Sequence, residues 1–432
     1  MGTSAAAQRR NARSARTPPF AGLLAGLRLG MGVGTREADT AALDGVADWN
    51  AVAALARRHR VGSLLLRGVS AVADPSPDAK AALEPFRQHR MRRGLRQLAD
   101  LREATDRLAA SGIPSLVLKG LPLSMRLFGT PLARDCIDID LLVPREQAAE
   151  AAQALASGGW RLVKPSFHPT PARIRHYDRF VKDRLFIGPH GKLELHHRLV
   201  NNPFLLRASF ETLSASTVSV EIGGHAFASL GDGDLMVYLA IHGQLHRWSR
   251  LKWLCDLAAL LASMDEDRIF AAVERCRREG LRLEPAFGAA LLLCSEMFHV
   301  DPPAAFPPPG AWAGRAMRST RRLWNRPHGG KGLEGLDRRM DELWLGQAMN
   351  PSWRSAAHEL ARLCVAPYDL GRVDLPDRLF FLYLPLRPIL WLASRLERNR
   401  KRSGQATTRR GGTGRLQVAG DAKEKPKCPV RP

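Results

Sequence analysis

The run Ile137-Asp138-Ile139-Asp140-Leu141-Leu142-Val143 limits what this chain can fold into more than any other stretch. Its aliphatic residues, several of them β-branched, predict a buried β-strand. Side chains on a strand alternate between its two faces, so Asp138 and Asp140 project from the same side. Two neighbouring carboxylates in apolar surroundings repel each other and lose hydration, which is costly unless a cation compensates them. A divalent metal is the simplest compensation, and Mg²⁺ favours carboxylate and phosphate oxygens. The same Asp-x-Asp spacing also occurs where a strand end faces water, so the remainder of the chain has to decide.

Two further segments favour the metal. Leu193-Glu194-Leu195-His196 repeats the pattern, with Glu194 and His196 on one face and leucines on the other. A hairpin around Gly188-Pro189-His190-Gly191 precedes it, and if that hairpin lies beside the Asp strand, Glu194 supplies a third carboxylate. Upstream, Leu118-Lys119-Gly120 reads as a strand-to-helix turn whose amide groups can face a phosphate.

Around these strands the texture changes twice. Trp49, Val52, Leu55 and Ala56 recur at helical spacing. Residues 76–110 read as one long helix or two, with Leu95, Leu98, Leu101 and Leu108 as the apolar stripe. Short strands, small helices and Gly-rich hairpins then fill residues 113–230, and helices return from Asp234. Pro302 to Pro309 forms a proline-rich connection. The expected organisation is a basic disordered segment over 1–18, a helical region over 19–112, a compact α/β core over 113–230, a helical domain over 231–395 and a disordered basic tail over 396–432. The fold class is α+β, a small mixed sheet flanked by N-terminal and C-terminal helical regions.

Val117-Leu118-Lys119-Gly120, then Arg134, then Asp138 to Val143 resemble an uncharacterised bacterial nucleotidyltransferase family of the polymerase-β-type superfamily. Glu194 and His196 match the acid and histidine with which the family continues. His242-Gly243 to Asp256, with His246, Trp248, Leu251, Lys252 and Trp253, resembles its helical part. The likeness spans roughly residues 40–395. It implies a nucleotidyltransferase-type core in which Asp138, Asp140 and Glu194 hold two Mg²⁺ or Mn²⁺ ions. An NTP is then the substrate, and an acceptor hydroxyl attacks its α-phosphorus and releases pyrophosphate. The third carboxylate is the candidate to take the acceptor proton. Lys119, Gly120, Arg134 and His196 are expected at the nucleotide, with Lys119 or Arg134 neutralising phosphate charge. The superfamily's Gly-Ser pair is replaced by Lys119-Gly120-Leu121, which leaves Ser124 as the hydroxyl that would stand in.

Charge bears on partners. Of the net +23, the first 18 residues contribute four and the last 38 contribute nine, which leaves ten for the body. Basic tails of this kind can contact nucleic acid or an anionic membrane surface, or simply stay solvated. The acceptor is left open between a small molecule, a protein side chain and an RNA end. A non-catalytic nucleotide-binding module on the same fold is the competing reading, and a basic nucleic-acid-binding protein ranks behind it. His242 and His246 share a helix face, a spacing that can hold zinc. Their run, His-Gly-Gln-Leu-His, lacks the adjacent Glu of zinc proteases and reads rather as packing or cleft lining. Six scattered cysteines without a C-x-x-C pair fit a reducing cytoplasm. No signal peptide is visible, and the apolar stretch from Leu379 is too short and broken to span a bilayer.

Overall fold

A computed structural model describes residues 16–167, 170–325, 336–364 and, with short gaps, 370–396. The expectations for the first fifteen residues and for the tail beyond 396 therefore lie outside the described residues. The chain divides at Asp377 into a large unit and a smaller C-terminal one, and everything below concerns the large unit.

Five helices come first: α1 (Pro19–Met31), α2 (Arg36–Asp44), α3 (Trp49–His59), α4 (Gly62–Ser70) and α5 (Pro77–Ala110). Their starts follow local chemistry. Asp48 accepts a hydrogen bond from the Ala51 amide to cap α3, and Ser76, followed by Pro77, does the same for α5 through Ala79. The 76–110 segment is thus one helix of 34 residues with Pro85 inside it. Its apolar stripe needs one correction. Leu101 and Leu108 are buried, but Leu95 is 64% exposed, because the inward face of α5 here is that of Gly94, packed against Leu132, and Gln97, bonded to the Asp138 carbonyl.

The sheet follows, as β1 (Leu116–Val117), α6 (Leu121–Phe128), β2 (Asp138–Leu142), α7 (Ala148–Ser157), β3 (Arg161–Lys164), α8 (Pro171–Phe180), β4 (Asp183–Ile187), β5 (Lys192–His196), α9 (Phe210–Ser214), β6 (Val218–Ile222) and β7 (His225–Ser229). The seven strands lie in the order β3-β4-β5-β2-β1-β7-β6. Two pairings, β2 with β5 and β1 with β7, are parallel and the others antiparallel. This mixed sheet agrees with the α+β class. Each face has its own core. Ile139, Leu141, Leu193 and Leu195 turn towards α5 and α7 and join Leu101, Leu108, Ala151 and Leu155. Leu118 and Leu142 belong to the other core, with the helices that close the unit.

Those helices are α10 (Asp232–Leu245), α11 (Leu251–Ser263), α12 (Glu266–Arg278), a π-helical turn at Glu284–Gly288, α13 (Ala289–Phe298), α14 (Ala311–Trp324), α15 (Leu336–Met349) and α16 (Trp353–Cys364). Almost every residue of α11 is buried, which is why it reads as apolar all round. Cys136, Cys255, Cys276 and Cys294 are free and buried. Among the described residues no helix is long and apolar enough to cross a membrane.

Helices α1 and α4 pack backbone against backbone. A Cβ built at Gly68 would collide with the backbone carbonyl of Gly26, so α4 can approach α1 only because position 68 has no side chain. Gly346, in α15, has nothing within 4 Å of its virtual Cβ. Gly68→Ala is expected to destabilise the protein by about 1–3 kcal/mol, the usual range for overpacking. Gly346→Ala should be neutral or slightly stabilising. Urea unfolding of both variants checks the contrast.

Candidate functional site

The parallel register of β2 against β5 builds the site. Asp138 lies opposite Lys192, Asp140 opposite Glu194 and Leu142 opposite His196. Partners across a ladder share a face, so the acids of both strands point the same way. Asp140, Glu194 and His196 bring one ligand atom each to within 4.8 Å of one another. Asp138 projects from the same face one pleat earlier, outside that grouping. Backbone bonding fixes the frame: the Leu118 amide donates to the carbonyl of Asp140 at 3.0 Å, bringing the end of β1 beside the acids.

Cations surround them. Lys119 Nζ lies 3.3 Å from Asp140 Oδ1 and 5.5 Å over the ring of Tyr238. Lys182 Nζ lies 2.5 Å from Asp183 Oδ2, 3.6 Å from Glu194 Oε2 and 3.3 Å from His196 Nδ1. His196 Nε2 in turn sits 3.3 Å from Asp140 and 3.4 Å from Glu194.

Electrostatics distinguish the acids. Burial opposes the charge of Asp140, yet Lys119 and the His196 hydrogen bond hold its carboxyl well below the usual range. Burial also opposes Glu194, which His196 and Lys182 nevertheless keep below its ordinary value. Asp138 goes the other way, raised by burial and then by the charge of Asp140. Burial works against the ammonium of Lys119, but Asp140 leads a set of groups that more than compensates and raises its pKa. The donor set suits a divalent ion: hard carboxylate oxygens with one imidazole nitrogen, converging at a buried point that Glu194 and Asp138 leave partly open.

Gly120 makes the turn between β1 and α6 with φ 80° and ψ −141°, a conformation essentially restricted to glycine. It sets Lys119 against the acids while α6 leaves in another direction. Ser124, by contrast, cannot stand in for the missing hydroxyl. It is fully buried, donates to the Thr130 carbonyl at 2.8 Å and accepts from the Arg134 amide at 3.1 Å.

Arg134, expected at the nucleotide or else paired with Asp135 or Asp138, is paired with a different acid. Its guanidinium is buried against Asp256 on α11, with Nε 2.8 Å from Oδ1, and its NH1 donates to Cys136 Sγ at 3.7 Å. Asp135 instead accepts from the Gly62 and Ser63 amides at 2.9 and 3.1 Å, capping α4. His242 and His246 form an aromatic cluster with Trp253, on which His246 stacks with ring centroids 4.7 Å apart. They belong to no metal-ligand group of three among the described residues.

Sequence reasoning missed Lys182, Asp183 and Tyr238. A Lys-Asp pair at the start of a strand carries no motif, and only the pairing of β4 with β5 brings it to His196. Lys252, read only through the resemblance, is buried near Asp256 and Asp138, and burial followed by the charge of Arg134 pushes it down to about 8.

Breaking the Arg134–Asp256 pair from one side leaves a buried charge without its counterion. Asp256→Ala is expected to cost about 3–5 kcal/mol, and the double change Arg134→Met/Asp256→Leu far less. Denaturant titration of the two variants measures the difference.

A family model described as an uncharacterised nucleotidyltransferase matches residues 45–299, more than half of the chain. The match stops short of the C-terminal reach near residue 395 suggested by the resemblance. No curated protein and no solved structure matches the chain. The chain belongs to this uncharacterised nucleotidyltransferase family.

Proposed function

We propose that the protein is a metal-dependent nucleotidyltransferase that moves a nucleoside monophosphate from an NTP to a hydroxyl acceptor. The observation that carries this reading is the β2–β5 register, which sets Asp140 beside Glu194 with His196 between them. Asp138, Asp140 and Glu194 would hold Mg²⁺ or Mn²⁺, with His196 bonded to two of the three. When bound, such ions lower the pKa of an acceptor hydroxyl and neutralise charge on the phosphates.

The chain's own groups do the rest. In the transfer a bond forms between the acceptor oxygen and the α-phosphorus, and the α–β bridging bond breaks. Pyrophosphate departs, and the acceptor proton passes to a carboxylate of the cluster. Lys119 sits at the Gly120 turn with its ammonium on the acid face, where it can neutralise phosphate oxygens. Lys252 offers a second buried cation on the Asp138 side. Of these acids, Asp140 and Glu194 are kept charged by Lys119, Lys182 and His196, while Asp138 is raised by burial and by Asp140.

A binding module without turnover is the second reading, favoured by one observation. Ser124 is committed to internal hydrogen bonds, so the turn presents backbone and Lys119 but no hydroxyl.

With labelled NTPs and Mn²⁺ or Mg²⁺, in buffer and in cell extract, the wild type should release pyrophosphate and transfer label to an acceptor. Asp138→Ala/Asp140→Ala should abolish both. Metal-dependent NTP binding without release in the wild type would select the binding module, and neither binding nor release would overturn both readings. His196→Ala should weaken Mn²⁺ affinity about 10–100-fold, the usual effect of losing a group that orients ligands. Electron paramagnetic resonance of free Mn²⁺ reads that loss without any turnover.

A further inference from the structure

On the α5 side of β2 lies a cleft of about 200 Å³ whose lining includes Arg57, Arg60, His89, Arg90, Arg93 and Asp135. Five arginines line it, counting Arg134, whose guanidinium is taken by Asp256. The other four and one imidazole share a small space with a single lining carboxylate. That carboxylate is already committed, since both oxygens of Asp135 accept from the first amides of α4. The ion pairs within α5 are Arg87–Glu84, Arg102–Asp106 and Arg107–Glu103, all away from the cleft. Among the described residues none of Arg57, Arg60, Arg90 and Arg93 is ion-paired to a carboxylate, whereas Arg134 is held by Asp256.

These cations are held in place. Arg93 donates to the carbonyl of Ile137 at 3.0 Å, immediately before Asp138. Arg57 lies over the ring of Phe86, 5.7 Å from its centroid. Arg60 ends α3 in the left-handed conformation, φ 55°, which turns it out of the helix. Arg60 and Arg90 are both about half-buried, and Arg60 is pushed down to about 10 by burial and then by the neighbouring Arg250. Crowded, partly desolvated guanidiniums without counterions repel one another, and a multivalent oxyanion removes that repulsion while accepting their forked N–H groups.

The position narrows the anion's source. Metal-bound NTP phosphates belong on the face of Asp138, Asp140 and Glu194, which points towards α10 and α11. Cys136 and Ile137 line the cleft, and Cys136 belongs to the core on the opposite face of β2. The Arg93 bond to Ile137 nonetheless sets the cleft beside the start of β2, next to Asp138, whose charge Arg60 feels. We propose that this cleft is an anion site for a phosphate group carried by the acceptor substrate. Identifying that molecule as the acceptor rests on the transferase reading, but the affinity for phosphate does not.

Binding is therefore measured on the full chain in EDTA, without nucleotide, by calorimetry. The probes are inorganic phosphate and a 5′-phosphorylated single-stranded oligonucleotide. The wild type should bind at least one, and Arg60→Gln/Arg90→Gln should weaken that binding about tenfold or more, as loss of charge-assisted hydrogen bonds does. Arg87→Gln/Arg102→Gln removes the same charge elsewhere on α5 and should leave it unchanged. Phosphate binding alone points to a small phosphorylated acceptor, and preference for the oligonucleotide to a strand end. If Arg60→Gln/Arg90→Gln fails to fold, the exposed Arg57→Gln carries the same comparison. No binding by the wild type, equal loss in both double variants, or no loss in either overturns the site. A parallel fall in ATP affinity, measured with Mn²⁺, also overturns it, because the cleft would then serve the NTP.

Discussion

The site depends on placing carboxylates side by side in a sheet that both cores exclude from water. Asp140 is opposite Glu194 in the β2–β5 ladder, and Asp183 enters from β4, opposite His196. At the low dielectric of such a position, uncompensated like charges would leave some of the acids protonated. Lys119 and Lys182 prevent that for Asp140, Asp183 and Glu194. Asp138, for which no ion pair occurs among the described residues, is the acid pushed upward, by burial and then by Asp140. The difference follows from geometry alone, because Asp138 and Asp140 differ by a single pleat.

Keeping that geometry requires the strand to be gripped from both sides. On one side α5 holds the backbone of β2 at its start, through Arg93 to Ile137 and Gln97 to Asp138. On the other, the segment leading into β2 is tied to α11 by Arg134 and Asp256, 122 residues apart. Asp135, between these anchors, caps α4 and so joins the N-terminal helices to the same point. The flanking helical regions are thus part of the site's construction, and it follows that the family match takes in helix on both sides of the sheet.

This division explains what the sequence disclosed. The two-residue period of a strand is local, so the shared face of Asp138 and Asp140, and that of Glu194 and His196, could be read directly. The adjacency of the two strands could not, because β2 and β5 pair across α7, β3, α8 and β4. The acidic partner of Arg134 was illegible for the same reason, since Asp256 lies in a helix that no local pattern connects to it. Leu95 shows a different failure. Helical spacing identified a stripe on α5, but which face of the helix meets the sheet is a tertiary fact, and at this point Gly94 and Gln97 face it rather than Leu95. Ser124 looked available because a hydroxyl near a glycine turn is a phosphate motif elsewhere, whereas here it closes the loop from α6 to Arg134.

The choice of cation differs between places, and the difference is chemical. Arg134 presents a planar, pre-oriented fork to Asp256, which suits a contact that must not move. Lys119 and Lys182 carry a compact charge on a flexible stem. Each ammonium can serve several neighbours, as Lys182 does with Asp183, Glu194 and His196. A carboxylate that must exchange its partner for an ion is better guarded by such a charge than by a bidentate one, since the lysine can withdraw without dragging the backbone. A fixed arginine braces the strand from outside the acid cluster, and lysines stand within it.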